Sequence, residues 1–247
     1  MNCRVCGDKT IKAHLIPRSM CTEVQVGKNH AVTNSDAKYS PSQSGVWDAD
    51  ILCANHDGQL GRYEETALKA FQNLRSQAAN KSFGSYELTG TDSESLLKFF
   101  AAILYKYAIT RKELGRIELG PFLAPIQDFL FCQAPVPRFL DALLVRPLLS
   151  AGDTEVFAYR TPRPDRKFGR NIYRMMVGGV IAFVLIDNSP LADPKTMGLW
   201  IKTLARPKYI IGPADQFEEF QIPQKLIQKN DTLSAFLGKQ ERTFGRT

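Results

Sequence analysis

The sequence predicts an α+β protein. A small metal-held module of two short strands and a helix is expected over residues 1–82, followed over 83–247 by a mainly helical domain with a small antiparallel sheet. Three observations carry this reading. Two paired-ligand motifs, Cys3-Arg4-Val5-Cys6 and Cys53-Ala54-Asn55-His56, bracket the first segment. Apolar residues then recur at helical spacing across 60–74, 96–107, 120–131 and 137–149. Near Thr154 the period changes, and apolar and polar residues begin to alternate as they do along strands.

The paired ligands come first because they fix the module. Two ligands separated by two residues on a tight turn can face one metal ion, and a second such pair from a distant turn completes the tetrahedron that zinc prefers. Cys3, Cys6, Cys53 and His56 therefore form a candidate structural zinc site. Between the pairs, Gly7-Asp8-Lys9 reads as a turn and Thr10 to Ala13 as a short strand that delivers His14 to the surface before Pro17. Residues 22–46 are polar and read as a long loop. The stretch from Gly45 to Leu52 is a second short strand carrying Cys53 to the metal. Asp57 is expected to cap a helix in which Leu60, Tyr63, Ala67, Leu68, Phe71 and Leu74 share a face.

After the polar connector 79–85, Thr91-Asp92-Ser93-Glu94 has capping-box spacing, and the helix behind it is apolar on more than one stripe, as a central buried helix would be. Gly120-Pro121 opens a second helix to about Phe131, and Pro137 opens a third to about Leu149. Strands are expected leading out through Arg160, returning over Asn171 to Ile186 as one or a pair, and closing at Lys208 to Ile211. Trp200 to Leu204 reads as a short helix. Cys132 reads as a core residue or free thiol.

Composition bounds the function. The chain has 247 residues, 44% of them hydrophobic, enough for a folded core. Its 32 Lys and Arg against 25 Asp and Glu give a net charge of +7, which favours polyanionic partners. The first residues lack the apolar stretch of a signal peptide, and the apolar run from Met175 to Ile186 is broken by Gly178-Gly179 and too short to span a bilayer. With five cysteines, four of them by Cys53 in a pattern suited to metal, a soluble protein in a reducing cytoplasm, away from membranes, is expected.

The order of Cys pair, strand, His, loop, strand, second pair and helix resembles that of an HNH endonuclease of the ββα-metal class, over about the first quarter of the chain. His14-Leu15-Ile16-Pro17 matches the segment that carries the general base in that family. Asp48 stands near the place of the family's asparagine, Asp57 at its last histidine, His56 at the second cysteine of the second pair, and Ala13 at a position that is commonly acidic. The resemblance implies metal-dependent cleavage of DNA, with His14 as base and Asp57 together with Asp48 or Asp50 holding magnesium or manganese. It also implies a bacterial or phage nuclease effector, with a protein partner on the helical domain. A second alignment makes His56 the catalytic histidine and leaves Cys21 as the only nearby replacement ligand. A non-catalytic, zinc-stabilised protein that binds nucleic acid or a partner is the competing expectation.

One further stretch has chemical character. Arg160, Arg163, Arg166, Lys167, Arg170 and Arg174 are opposed within their own segment only by Asp165, and Tyr159, Phe168 and Tyr173 interleave with them. This is the expected phosphate grip, the alternative being a solvated hairpin tip. The basic tail with Lys225, Lys229, Lys239, Arg242 and Arg246 carries a weaker signal of the same kind.

Overall fold

Strand β1 (Ala13–His14) pairs antiparallel with β4 (Trp47–Asp48), and isolated bridges join Asn2 to Lys9 and Thr10 to Cys53. These few contacts bring the two ligand pairs of the sequence to one place. Between them lie a short helix, α1 (Arg18–Thr22), and a small hairpin of β2 (His30–Thr33) with β3 (Tyr39–Ser42) where a continuous loop was expected. The computed structural model describes residues 2–24, 30–33, 39–150, 152–156, 158–167, 169–189 and 197–221, with isolated positions at 231, 234, 235 and 238. Phe168 and the basic residues of the tail from Lys225 onward lie outside the described residues.

Helix α2 (Ala54–Ala78) begins four residues before the expected start. Cys53 is its N-cap, so Asp57 lies inside the first turns and does not cap it. Leu60, Ala67, Ala70, Phe71, Leu74 and Ala78 are buried along one face, as the spacing predicts. At about 1.5 Å per residue the helix runs roughly 37 Å, from the ligand cluster to the far sheet. There Arg75 donates to the Gly178 carbonyl at 2.7 Å and pairs with Glu23 at 2.7 Å. Gly178 has φ +56, and a Cβ there would stand 2.7 Å from the Phe71 ring, so the close approach of α2 to this turn requires glycine.

Beyond the short strand β5 (Gly84–Glu87) comes α3 (Ser93–Ile109). Its cap is Asp92, one residue past the Thr91 of the expected box, whose carboxylate accepts from the Ser95 amide at 2.8 Å. Twelve of its 17 residues are buried, which makes it the central helix the sequence implies. After a 3-10 turn at Gly120–Phe122, α4 (Leu123–Phe131) follows.

The third expected helix is a strand. β6 (Leu140–Leu148) is buried along its whole length and lies in the middle of a six-stranded sheet with β7 (Arg160–Lys167), β8 (Arg170–Val177), β9 (Val180–Ile186) and β10 (Lys208–Pro213). The order is β5-β10-β6-β9-β8-β7. All neighbours are antiparallel except β6 and β10, so the sheet is larger than expected and mixed. Gly178 and Gly179, both at positive φ, close the β8–β9 hairpin.

Alternation along the strands divides the sheet into two faces. Val180, Ala182, Val184 and Ile186 of β9 face the core shared with α2 and α3. Ile181, Phe183 and Leu185 face the other side, where Trp200, Ala214 and Phe220 cover them. The first core runs without a break from Cys3 and Cys53 through α3 to Ile211. Among the described residues, no helix is long and apolar enough to cross a membrane.

Candidate metal centre

The first ligand pair sits on a turn closed by backbone bonds. The Cys3 amide donates to Asp8 at 2.7 Å and Gly7, at φ +83, returns its amide to the Cys3 carbonyl at 2.9 Å. The Arg4 amide reaches Ile51 at 3.0 Å and the Ile11 amide reaches Leu52 at 2.9 Å, which fastens this turn to the segment entering Cys53. Cys53 then caps α2 and His56 lies one turn along it. Sequence spacing of two residues therefore becomes convergence of four side chains.

The convergence has the dimensions of a zinc site. Cys6 Sγ and Cys53 Sγ are 3.8 Å apart, Cys53 Sγ and His56 Nδ1 3.2 Å, and Cys3 Sγ and His56 Nδ1 3.6 Å. All four ligand atoms lie within 4.8 Å of one another. Tetrahedral zinc with sulfur at about 2.3 Å and nitrogen at about 2.0–2.1 Å spaces two sulfurs about 3.8 Å apart, and sulfur and nitrogen about 3.5 Å apart. The site can hold a metal ion, and its donors suit zinc. His56 is further fixed by an edge contact with Phe131, ring centres 4.9 Å apart.

The thiols already register their neighbours. Burial pushes Cys3 up, but the backbone N–H groups of Val5, Cys6 and Cys53 outweigh it and bring the thiol down to about 6. For Cys6 the Asp8 backbone pulls downward, while burial and the adjacent Asp8, Cys53 and Cys3 side chains lift it to about 12. A first thiolate forms readily here, and the next is opposed until a cation shares the space. Cys21 belongs elsewhere: it is buried, donates towards the Ile16 carbonyl at 3.8 Å, and is pushed up to about 12 by burial. The alignment that gives the metal Cys21 in place of His56 does not match this arrangement. Cys132 is exposed and free.

Of the three residues expected to act on substrate, Asp48 is turned away from His14. In the β1–β4 ribbon Ala13 faces Asp48 and His14 faces Trp47, so Asp48 shares the fully buried side with Ala13 while the half-buried His14 lies on the opposite side. The fully buried Asp48 carboxylate accepts from the Asp50 amide at 2.9 Å, Thr110 Oγ1 at 2.6 Å and the Arg111 amide at 3.2 Å. Burial would raise its pKa, but these bonds and the Arg111 charge hold it below the usual carboxylate range. Asp57 is half-buried on α2, and burial raises its pKa. Between it and His14 in electrostatic terms stands a pair of opposite charges, Lys106 Nζ to Glu64 at 2.6 Å, which both residues feel.

The expected magnesium or manganese centre finds no support in these contacts. Asp48 is spent on α3, Ala13 offers no donor, and the buried Lys106 ammonium already neutralises Glu64. Among the described residues, the cysteine-histidine cluster is the one group of three or more His, Cys, Asp or Glu placed to share an ion. What remains at the ribbon is His14 itself. It is half-buried, its Nε2 is buried with no hydrogen-bond partner among the described residues, and burial, Lys106 and Arg18 lower its pKa against the opposing pull of Glu64. A buried nitrogen left unpaired costs about 1–3 kcal/mol, and such positions commonly belong to water or ligand.

The basic segment is strand, not loop. Its residues form β7 and β8, with the turn at Gly169. Only Asp165 opposes it in sequence, yet the fold supplies Glu218, Glu219 and Asp187. Arg163 meets Glu218 at 2.5 Å, Arg170 meets Asp187 at 3.3 Å, and buried Arg174 pairs with buried Glu219. Arg160 is half-buried, which leaves Arg166 and Lys167 at the exposed end. Nothing local in the sequence signals Glu218 and Glu219 as partners, because they are 44 to 56 residues away from the arginines they meet.

Comparison with protein-family models, with curated proteins and with solved structures finds no match to this chain.

Proposed function

We propose that the protein hydrolyses phosphodiester bonds of nucleic acid, DNA first among them, at His14, on a module organised by zinc at Cys3, Cys6, Cys53 and His56. The observation that carries the reading is the half-buried His14 imidazole, its Nε2 without a partner among the described residues and its pKa lowered by burial, Lys106 and Arg18 against the pull of Glu64. Zinc supplies structure here: four protein ligands close its coordination, and it contributes on the order of 10 kcal/mol to folding. His14 takes a proton from water as the water oxygen bonds to phosphorus and the bond to the leaving oxygen breaks. Arg18, exposed at the start of α1, favours the negative charge that builds on the phosphate. The resemblance to HNH endonucleases agrees with this choice of base.

A second reading is favoured by Asp48 and by the Lys106–Glu64 pair, which take up groups a metal-dependent nuclease would need. In it the protein keeps the zinc scaffold and binds nucleic acid or a protein partner without cutting. Incubating zinc-loaded protein with single-stranded and duplex DNA and RNA, with and without magnesium or manganese, separates the two. Cleavage is expected, and His14→Ala should slow it by about a hundred-fold or more with zinc content and melting temperature kept. Absence of cutting under every condition removes the hydrolase and leaves the binding protein.

A further inference from the structure

The face of the β1–β4 ribbon that carries His14 also carries an exposed aromatic ring. His14 and Trp47 are directly opposite each other across the two strands. Side chains in such a pair start about 4.5–5.5 Å apart. Trp47 is 38% exposed, and Lys12, which shares the outward side of the strand with His14, holds its ammonium 4.5 Å from the centre of the indole ring. Arg18, exposed at the start of α1, lies within electrostatic reach of the His14 imidazole. The other side of the same ribbon, Ala13 and Asp48, is fully buried. An exposed ring, the Lys12 ammonium and the half-buried His14 imidazole thus share one side of the ribbon, with the charge of Arg18 close by.

We infer that Trp47 stacks an unpaired nucleobase beside His14, so that the substrate at this surface is a single-stranded segment of nucleic acid. Every base has a flat π-face, and an exposed indole next to cations binds it without reading its sequence. Bases inside a duplex are already stacked on their neighbours and cannot lie on this ring unless they leave the helix. Lys12 and Arg18 are placed for the phosphates on either side of a stacked nucleotide. The inference builds on the reading of His14 as the water-activating group, yet the binding it predicts is measured without any cleavage.

The chain has two tryptophans, and Trp200 is 1% exposed, so ligand-induced quenching reports on Trp47. The experiment titrates zinc-loaded His14→Ala protein, which also serves as the non-cutting form, with a mixed-sequence single-stranded oligonucleotide, its duplex, and the same strand with its central bases removed. The single strand should quench the fluorescence and bind about ten-fold more tightly than the duplex or the abasic strand, the scale expected of one stacked base. Adding Trp47→Ala should weaken binding of the intact strand about ten-fold, while Trp47→Phe, which keeps a ring, should stay within about three-fold. Equal binding of the abasic strand, equal binding by a folded Trp47→Ala protein, or no quenching overturns the inference. Stacking without cleavage by the wild type would remove the hydrolase alone. Cleavage of single strands that Trp47→Ala leaves unchanged would remove this inference alone.

Discussion

Asp48 accepts a 2.6 Å hydrogen bond from Thr110 Oγ1, across 62 residues of sequence, and so ties β4 of the amino-terminal ribbon to the end of α3. With the Asp50 and Arg111 amides also bound, both carboxylate oxygens are engaged in a place that water does not reach. Asp48→Ala leaves a buried hydroxyl and two amides short of an acceptor and should cost about 2–3 kcal/mol. For a chain of this size that is a fall of roughly 4–12 °C in melting temperature. Zinc content should stay the same, since Asp48 touches none of the four ligands. The folded-state pKa is depressed, so this stabilisation is present above the ordinary aspartate pKa and is lost as pH falls through the lowered value. Wild type and variant should accordingly converge in stability on acidification. Equal melting temperatures at pH 7 would assign Asp48 some other role.

The metal cluster makes a stoichiometric prediction. Purified protein should carry one zinc per chain, and Cys53→Ala should lose it and unfold the ribbon, since Cys53 both binds the ion and begins α2. The ligands must be deprotonated to bind, and Cys6, pushed up to about 12 in the metal-free cluster, must give up its proton at neutral pH. Zinc affinity should therefore fall at least about ten-fold per pH unit below pH 7, one factor of ten for each proton displaced. Competition with a chelator at several pH values measures it. A flat response, or zinc retained by Cys53→Ala, would exclude this ligand set.

Arg174 of β8 and Glu219 pair in a site where each side chain is nearly inaccessible, and Arg174 also lies over the Phe183 ring at 5.0 Å. The pair holds the segment that covers the second face of the sheet, including Phe220. Breaking one partner of a buried pair leaves an uncompensated charge, so Arg174→Ala should destabilise by about 3–5 kcal/mol. Replacing both residues by apolar ones of similar volume should restore most of that loss. Thermal or denaturant melts of the single and double variants decide it, and a single variant as stable as wild type would show that the charges are solvated instead.

What could be read from the sequence follows physical range. The two paired motifs encode their own convergence, because two residues of spacing on a turn suffice to aim each pair, and the four ligands do meet. α3 was legible from its all-round apolarity, and strand structure over 171–186 from its apolar runs, though these alone leave open whether one strand or the β8–β9 pair forms. β6 was misread as helix since a strand buried on both faces loses the two-residue alternation, and Leu140, Leu143, Leu144 and Leu148 fall by chance at helical spacing after Pro137. The partners of the Arg segment were hidden for a different reason. Its neutralising acids come from Asp187, Glu218 and Glu219, and pairing across such separations depends on tertiary packing that no local pattern records. Asp48 belongs to the same class: its chemistry suited a metal, and its place in the ribbon gave it to Thr110.

The last prediction concerns the pH dependence of cleavage at His14. A general base works only when unprotonated, so the rate should fall on the acid side as the imidazole gains its proton. Burial first, then the charges of Lys106 and Arg18, lower the pKa of His14 from its ordinary value near 6.5, with Glu64 pulling the other way. The acid limb of kcat/KM should therefore lie below pH 6.5, and the enzyme should remain active at mildly acidic pH where an ordinary histidine would be half charged. Arg18→Gln removes one of the cations from an exposed position without opening the core. It should move the limb upward, towards 6.5, and weaken binding of the anionic substrate at the same time. Moving the limb requires that the titrating group feel Arg18, which a structural loss would not produce. A limb that stays in place in Arg18→Gln, or one that persists unchanged in residual activity of His14→Ala, would mean that another group accepts the proton.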